Sequence, residues 1–141
     1  MLITNHVLAG ALIGRVTGAP AAAFALGIAS HLAMDVAPHW GNPDVVVFLR
    51  VARVDGLLGL ATIAALLATA PRPRRRSVLA GIAGACLPDL DKPAWFLAGR
   101  RVFPAPVERW LCDIQHESPR RMPVEFTAGA LLAFAWFRRP R

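Results

Sequence analysis

His31, Asp35 and His39 recur at four-residue intervals in the stretch from Ser30 to Gly41, which closes an apolar run beginning at Pro20. On a helix, residues four apart share a face, so His31 and Asp35 lie one turn from each other. Imidazole and carboxylate together are ligands for a divalent ion. Ionisable groups inside an apolar helix need such a partner, because an unpaired carboxylate in hydrocarbon costs at least a few kcal/mol. Pro38 ends the helix and leaves His39 at its mouth, where a third ligand can reach back. The structural alternative is that His31 hydrogen-bonds a neighbouring helix while Asp35 caps a turn.

Other residues could join this group. Leu87-Pro88-Asp89-Leu90-Asp91-Lys92-Pro93 sets two carboxylates between two prolines, so a helix breaks there and both side chains can turn toward a common site. Asp89 and Asp91 are therefore candidate metal ligands, although Asp91 could instead cap a short helix closed by Gly99. His6 lies one turn into a helix capped by Thr4 or Asn5. It is a further candidate ligand. Asp55 either pairs with Arg50 or Arg53 or orients a histidine ligand. His116 and Glu117, in Gln115-His116-Glu117-Ser118-Pro119, are candidates for a base or gate, or belong to a solvated loop. Glu125 stays open between the same choices. Oxygen and imidazole donors in this mixture suit zinc first, then manganese or magnesium.

Helices must position these groups. Of the 141 residues, 55% are apolar, and the mean hydropathy of +0.45 is high for a soluble domain of this length. One domain, residues 1–141, is expected. The apolar residues form five blocks, at about 5 to 18, 20 to 37, 54 to 70, 77 to 98 and 124 to 137. Several are at or below the roughly 20 residues of a straight span, so the set of five points to membrane helices more strongly than any one alone. The first block has no basic region before it and no cleavage site after it, and reads as a retained helix. Gly10, Gly14 and Gly18 form a stripe suited to close helix packing. A short amphipathic helix from Val107 to Gln115 is expected at the interface, with Trp110 and Leu111 toward lipid. Cys86 and Cys112 are isolated and form neither a disulfide framework nor a zinc knuckle.

The net charge of +7 raises nucleic acid as a partner, with Arg72, Arg74, Arg75 and Arg76 as its anchor. No aromatics interleave that cluster and it sits between apolar blocks, so a membrane-flanking loop is the expectation and no nucleic acid is. If the five blocks run up and down through a bilayer, all nine acidic residues and all four histidines fall at one face. The other face receives only arginines: Arg15, the four of 72 to 76, and Arg138, Arg139 and Arg141. The short, acid-free arginine segments favour that face as cytoplasmic, with the polar site outside.

His6-x3-Gly10, Ser30-His31-x3-Asp35 and Leu87-Pro88-Asp89-Leu90-Asp91 together resemble the inner-membrane-associated metal-dependent hydrolases related to the LexA-binding protein YdjM, and more distantly zinc-dependent phospholipase C. The resemblance covers most of the chain through three short motifs. It implies a small helical protein of the inner (plasma) membrane with His and Asp ligands around one or two metal ions. Lys92 stands where that family usually has a histidine, and its His-Arg-x-x-Thr-His-Ser segment is absent. A single-metal site, or one without catalysis, is then also open.

The expectation is an all-α, multi-pass membrane protein with its polar site at one face. His6, His31, Asp35, His39, Asp89 and Asp91 are the candidate ligands, and Asp55, His116 and Glu117 the candidate catalytic helpers. The reaction class is hydrolysis of a phosphoester, with a lipid reached from the bilayer as one substrate. The alternatives are a non-catalytic membrane scaffold held by the same polar network, and an ion or proton pathway.

Overall fold

A computed structural model describes residues 1–138, and Arg139, Pro140 and Arg141, part of the expected basic anchor, lie outside the described residues. Among the described residues the fold is all-α, with no strand and one isolated bridge. Seven helices follow in order: α1 (Ile3–Thr17), α2 (Pro20–Val36), α3 (Val45–Thr69), α4 (Arg75–Cys86), α5 (Asp91–Ala98), α6 (Ala105–Asp113) and α7 (Met122–Arg138).

Local chemistry sets their ends. Gly18 closes α1 in the left-handed region at φ 67°, and Pro20 opens α2 at a position where its missing N–H is not needed. Gly18 is thus a terminator and not the third member of the packing stripe. Helix α3 begins at Val45, earlier than the apolar block at 54, because the Asp44 carboxylate accepts from the amides of Val46 and Val47 (2.8 and 3.2 Å). The block 77 to 98 is two helices. A 3-10 turn, Leu87–Asp89, separates α4 from α5 at Pro88, whose ring and missing N–H do not allow the helix to continue.

Helix α4 packs along both α1 and α2. The approach is so close that a Cβ on Gly81 would lie 2.2 Å from the Gly10 carbonyl oxygen, and one on Gly10 would lie 2.4 Å from that of Gly81. Only hydrogen fits between these backbones. Helices α3 and α7 flank α1, and Val7, Leu8, Ala11, Leu66, Val78, Ile82 and Trp136 fill the space between. At the arginine end, Arg15 donates to the Trp136 carbonyl (2.7 Å) with its guanidinium 4.8 Å from the indole centre, and Trp136 Nε1 donates to Thr69 Oγ1 (3.2 Å).

One described helix, α3, is long and apolar enough to cross a membrane, with 25 residues and a window of mean hydropathy 1.7. Its Leu57, Leu58 and Leu60 are more than half exposed. The other four expected spans, α1, α2, α4 and α7, have 15, 17, 12 and 17 residues and fall short of that length.

Candidate metal centre

The start of α1, the end of α2 and the turn after α4 converge at one end of the bundle. His6, His31 and Asp35 are buried there, and Asp89 is nearly so. The two imidazoles stack with centroids 4.0 Å apart. Asp35 lies against both rings, with Oδ1 3.2 Å from His6 Nε2 and Oδ2 3.1 Å from His31 Nε2, and it also accepts from the Met1 ammonium (2.9 Å). Asp89 Oδ1 is 4.0 Å from His31 Nε2. Ligand atoms of His6, His31 and Asp89 all lie within 4.8 Å of one another.

The hydrogen-bond partners decide what this group can do. His31 Nδ1 lies 2.7 Å from the Ala85 carbonyl oxygen, which can only accept, so Nδ1 carries the proton. In the neutral ring Nε2 is then a lone pair facing a carboxylate oxygen. Two acceptors at 3.1 Å repel unless a proton or a metal ion lies between them. His6 is stricter still: its Nδ1 is buried with no partner, a loss of about 1–3 kcal/mol, and its Nε2 faces the Asp35 carboxylate at 3.2 Å out of line for a good hydrogen bond. A tetrahedral ion with bonds of about 2.1 Å sets its donors about 3.4 Å apart. The Asp35 contacts are already close to that length. This buried His and Asp group can therefore hold a metal ion, with the Ala85 carbonyl fixing the tautomer of one ligand.

Lys92, from the first turn of α5, puts Nζ 2.7 Å from Asp89 Oδ1. Burial pushes the Asp89 carboxyl up, but Lys92 and the imidazoles of His31 and His6 outweigh it and hold the carboxyl below its ordinary range. Burial likewise lowers the Lys92 ammonium, and Asp89 more than reverses this. His31, Asp89 and Lys92 line a cleft of about 240 Å³, with Asp91, Glu108 and Gln115 as its other polar groups and Phe48, Trp95 and Phe103 among its apolar walls.

The remaining candidates lie elsewhere. His39 is fully buried and forms a second pair, its Nε2 3.7 Å from Glu117 Oε1 and its Nδ1 donating to the Ala37 carbonyl (2.8 Å). A parallel bridge between residues 39 and 117 brings them together: His39 N donates to His116 O (3.1 Å) and Ser118 N to His39 O (3.0 Å). Gly41 leaves room for Glu117, whose Cδ would lie 2.3 Å from any Cβ there. The His39 imidazole, against a smaller upward push from burial, and beyond it Lys92, hold the Glu117 carboxyl below its usual range. His116 contributes its carbonyl to the bridge while its side chain is exposed.

Three carboxylates are used by backbone amides instead. Asp55, expected beside an arginine or a histidine, accepts from Ile3 N (2.6 Å), Thr4 N (3.2 Å) and Thr4 Oγ1 (2.6 Å), capping α1 from α3. Glu125 accepts from Leu2 N (3.1 Å), Asn5 Nδ2 (2.7 Å) and Trp40 N (3.0 Å). Helix α1 is thus capped by other helices and not by its own Thr4 or Asn5. Asp91 accepts from Val102 N and from Phe103 N (3.0 Å), closing the loop after α5, and lines the same cleft as His31. The role of Asn5 as the donor to Glu125 has no signature in the sequence, because its partner is 120 residues away. No family model matches this chain, and neither a curated protein nor a solved structure is significantly similar to it.

Proposed function

We propose that the protein is a metal-dependent hydrolase of the inner membrane, acting on a phosphoester at a site on the extracytoplasmic face. One observation carries the reading: His6, buried and stacked on His31, has two ring nitrogens without a hydrogen bond beside Asp35 and Asp89, and His31 and Asp89 line the adjoining cleft. His6, His31, Asp35 and Asp89 are the ligands in this reading, and zinc, manganese or magnesium the ion. When bound, such an ion supplies a water acidified toward neutral pH and a positive centre for developing negative charge. Lys92, held cationic against Asp89 in the cleft, binds an anionic group and orients it. Glu117, kept ionised by His39 and Lys92, is the base in this reading. The exposed leucines of α3 and the short arginine segments at the opposite end support the membrane placement. The motif resemblance points the same way.

The test is release of phosphate or alcohol from a panel of phosphomono- and phosphodiesters by detergent-purified protein supplied with zinc or manganese. Wild-type turnover that falls at least about a hundredfold in Asp89→Asn and in His6→Ala, with unfolding temperatures retained, is expected. Turnover unchanged in both variants overturns the assignment of these residues.

A second reading, a non-catalytic membrane scaffold, is favoured by Lys92 itself. Its ammonium supplies Asp89 with a cation without any metal. In that case Asp89→Asn lowers the unfolding temperature and no substrate is turned over.

A further inference from the structure

The segment from α5 through α6 is an arm beside the cleft. Helix α5 packs mainly on the turn Leu87–Asp89, and α6 reaches the cleft through Leu111, Cys112 and the nearby Gln115. Its exposed residues are strongly apolar: Leu97 is 88% exposed, Trp95 53% and Trp110 51%, with Phe96 and Val102 close to half. Arginines are set among these residues. Arg100 and Arg101 follow directly after Gly99, which closes α5 at φ 60°, and Arg109 sits one position before Trp110. Arg101 lies over the Trp95 ring at 5.8 Å and pairs with Glu108. Among the described residues, neither Arg100 nor Arg109 has an ion pair.

We infer that this arm seats in the headgroup layer of an anionic leaflet and holds the mouth of the cleft at that depth. The inference rests on the membrane placement proposed above but not on hydrolysis. An apolar wedge followed by a cationic collar matches a lipid–water boundary, where aliphatic side chains enter the acyl region and arginines stay with phosphates. Tryptophan favours the same depth. The arm is also continuous with the lipid-facing candidate α3, because Phe48 of α3 and Trp95, Phe96 and Phe103 of the arm line one cleft. An amphiphile in that leaflet would meet the cleft with its head toward Lys92.

The test uses spin labels on the full chain in nanodiscs, in a Cys86→Ala, Cys112→Ser background. Leu97→Cys reports the arm, Val102→Cys repeats the reading at a second exposed position, and Leu57→Cys reports the outer face of α3. Collision with oxygen, which partitions into lipid, is compared with collision with a water-soluble nickel chelate, in phosphatidylglycerol discs and in phosphatidylcholine discs. The expected result is a label at Leu97 that favours oxygen in phosphatidylglycerol and shifts toward nickel in phosphatidylcholine. Arg100→Gln and Arg109→Gln should each weaken the seating roughly fivefold, the effect of one cation near an anionic surface. Nickel access at Leu97 in both discs, with oxygen access at Leu57, overturns the arm while leaving the membrane placement intact. Nickel access at both positions overturns both. An immobilised Leu97 label reached by neither reagent also overturns the inference, and assigns the face to a protein partner or a second copy.

Discussion

Two groups of buried polar residues share one end of the bundle and do opposite things. Asp55 and Glu125 meet donors on every side, namely the first amides of α1, the Thr4 hydroxyl, the Asn5 amide and the Trp40 amide. They fasten the start of α1 to α3 and α7, at the end of a helix where negative charge is favoured. His6, His31, Asp35 and Asp89 lie beside them with imidazole nitrogens facing carboxylate oxygens, both His6 nitrogens without a good hydrogen bond, and one ammonium, from Met1 or Lys92, on each carboxylate. A buried carboxylate is therefore not a site in itself. What it faces decides whether it only holds the fold or can also hold an ion.

The contrast can be broken at several points. Glu125→Ala should be the most damaging change, since it strands the Leu2 and Trp40 amides and leaves Asn5 Nδ2 with only the backbone carbonyl of residue 125. A loss of about 2–5 kcal/mol in denaturant unfolding is expected, the same with metal or with chelator. Gly81→Ala presses a methyl group onto the Gly10 carbonyl and should cost about 1–3 kcal/mol by the same assay, through forced separation of α1 and α4.

In the other group the response should invert. Asp35→Asn should weaken zinc binding by about tenfold to a hundredfold in a competition titration. In chelator, the same variant should lose only the Met1 ammonium contact and so fall less in unfolding temperature than Glu125→Ala. Equal metal affinity with lower stability would place Asp35 with Asp55 and Glu125.

The smallest effect concerns Glu117. Its carboxyl titrates below the ordinary glutamate value of about 4.3. A depressed acid contributes stability above its unfolded pKa, and the contribution is lost as pH falls through the lower folded value. In chelator, the unfolding temperature of wild type should thus fall more steeply below about pH 4 than that of Glu117→Gln. The gap should be small, because the side chain is 40% exposed.

Much of the candidate centre is legible from spacing. His31 and Asp35 share a helix face by period alone, and alternating helix direction carries His6 and Asp89 to the same end. The roles of Asp55 and Glu125 are not legible, because their partners are backbone amides more than 50 and 120 residues away. A carboxylate in an apolar block looks the same whether it caps a foreign helix or binds an ion. His39 and Glu117 are likewise joined only by a bridge between distant loops. The early start of α3 is hidden because Arg50 and Arg53 interrupt its apolar pattern, while a single Asp44 cap suffices to begin it. Asp91 is diverted by two loop amides that no helical period predicts.

The central claim is that the stacked imidazoles and the carboxylates beside them bind a divalent ion. Metal content by mass spectrometry on detergent-purified wild type, next to a His31→Ala, Asp35→Ala double variant, tests it most directly. One equivalent of zinc or manganese in the wild type, lost in the folded variant, is the predicted result. A folded wild type that stays metal-free after zinc, manganese and magnesium are added back would contradict the claim.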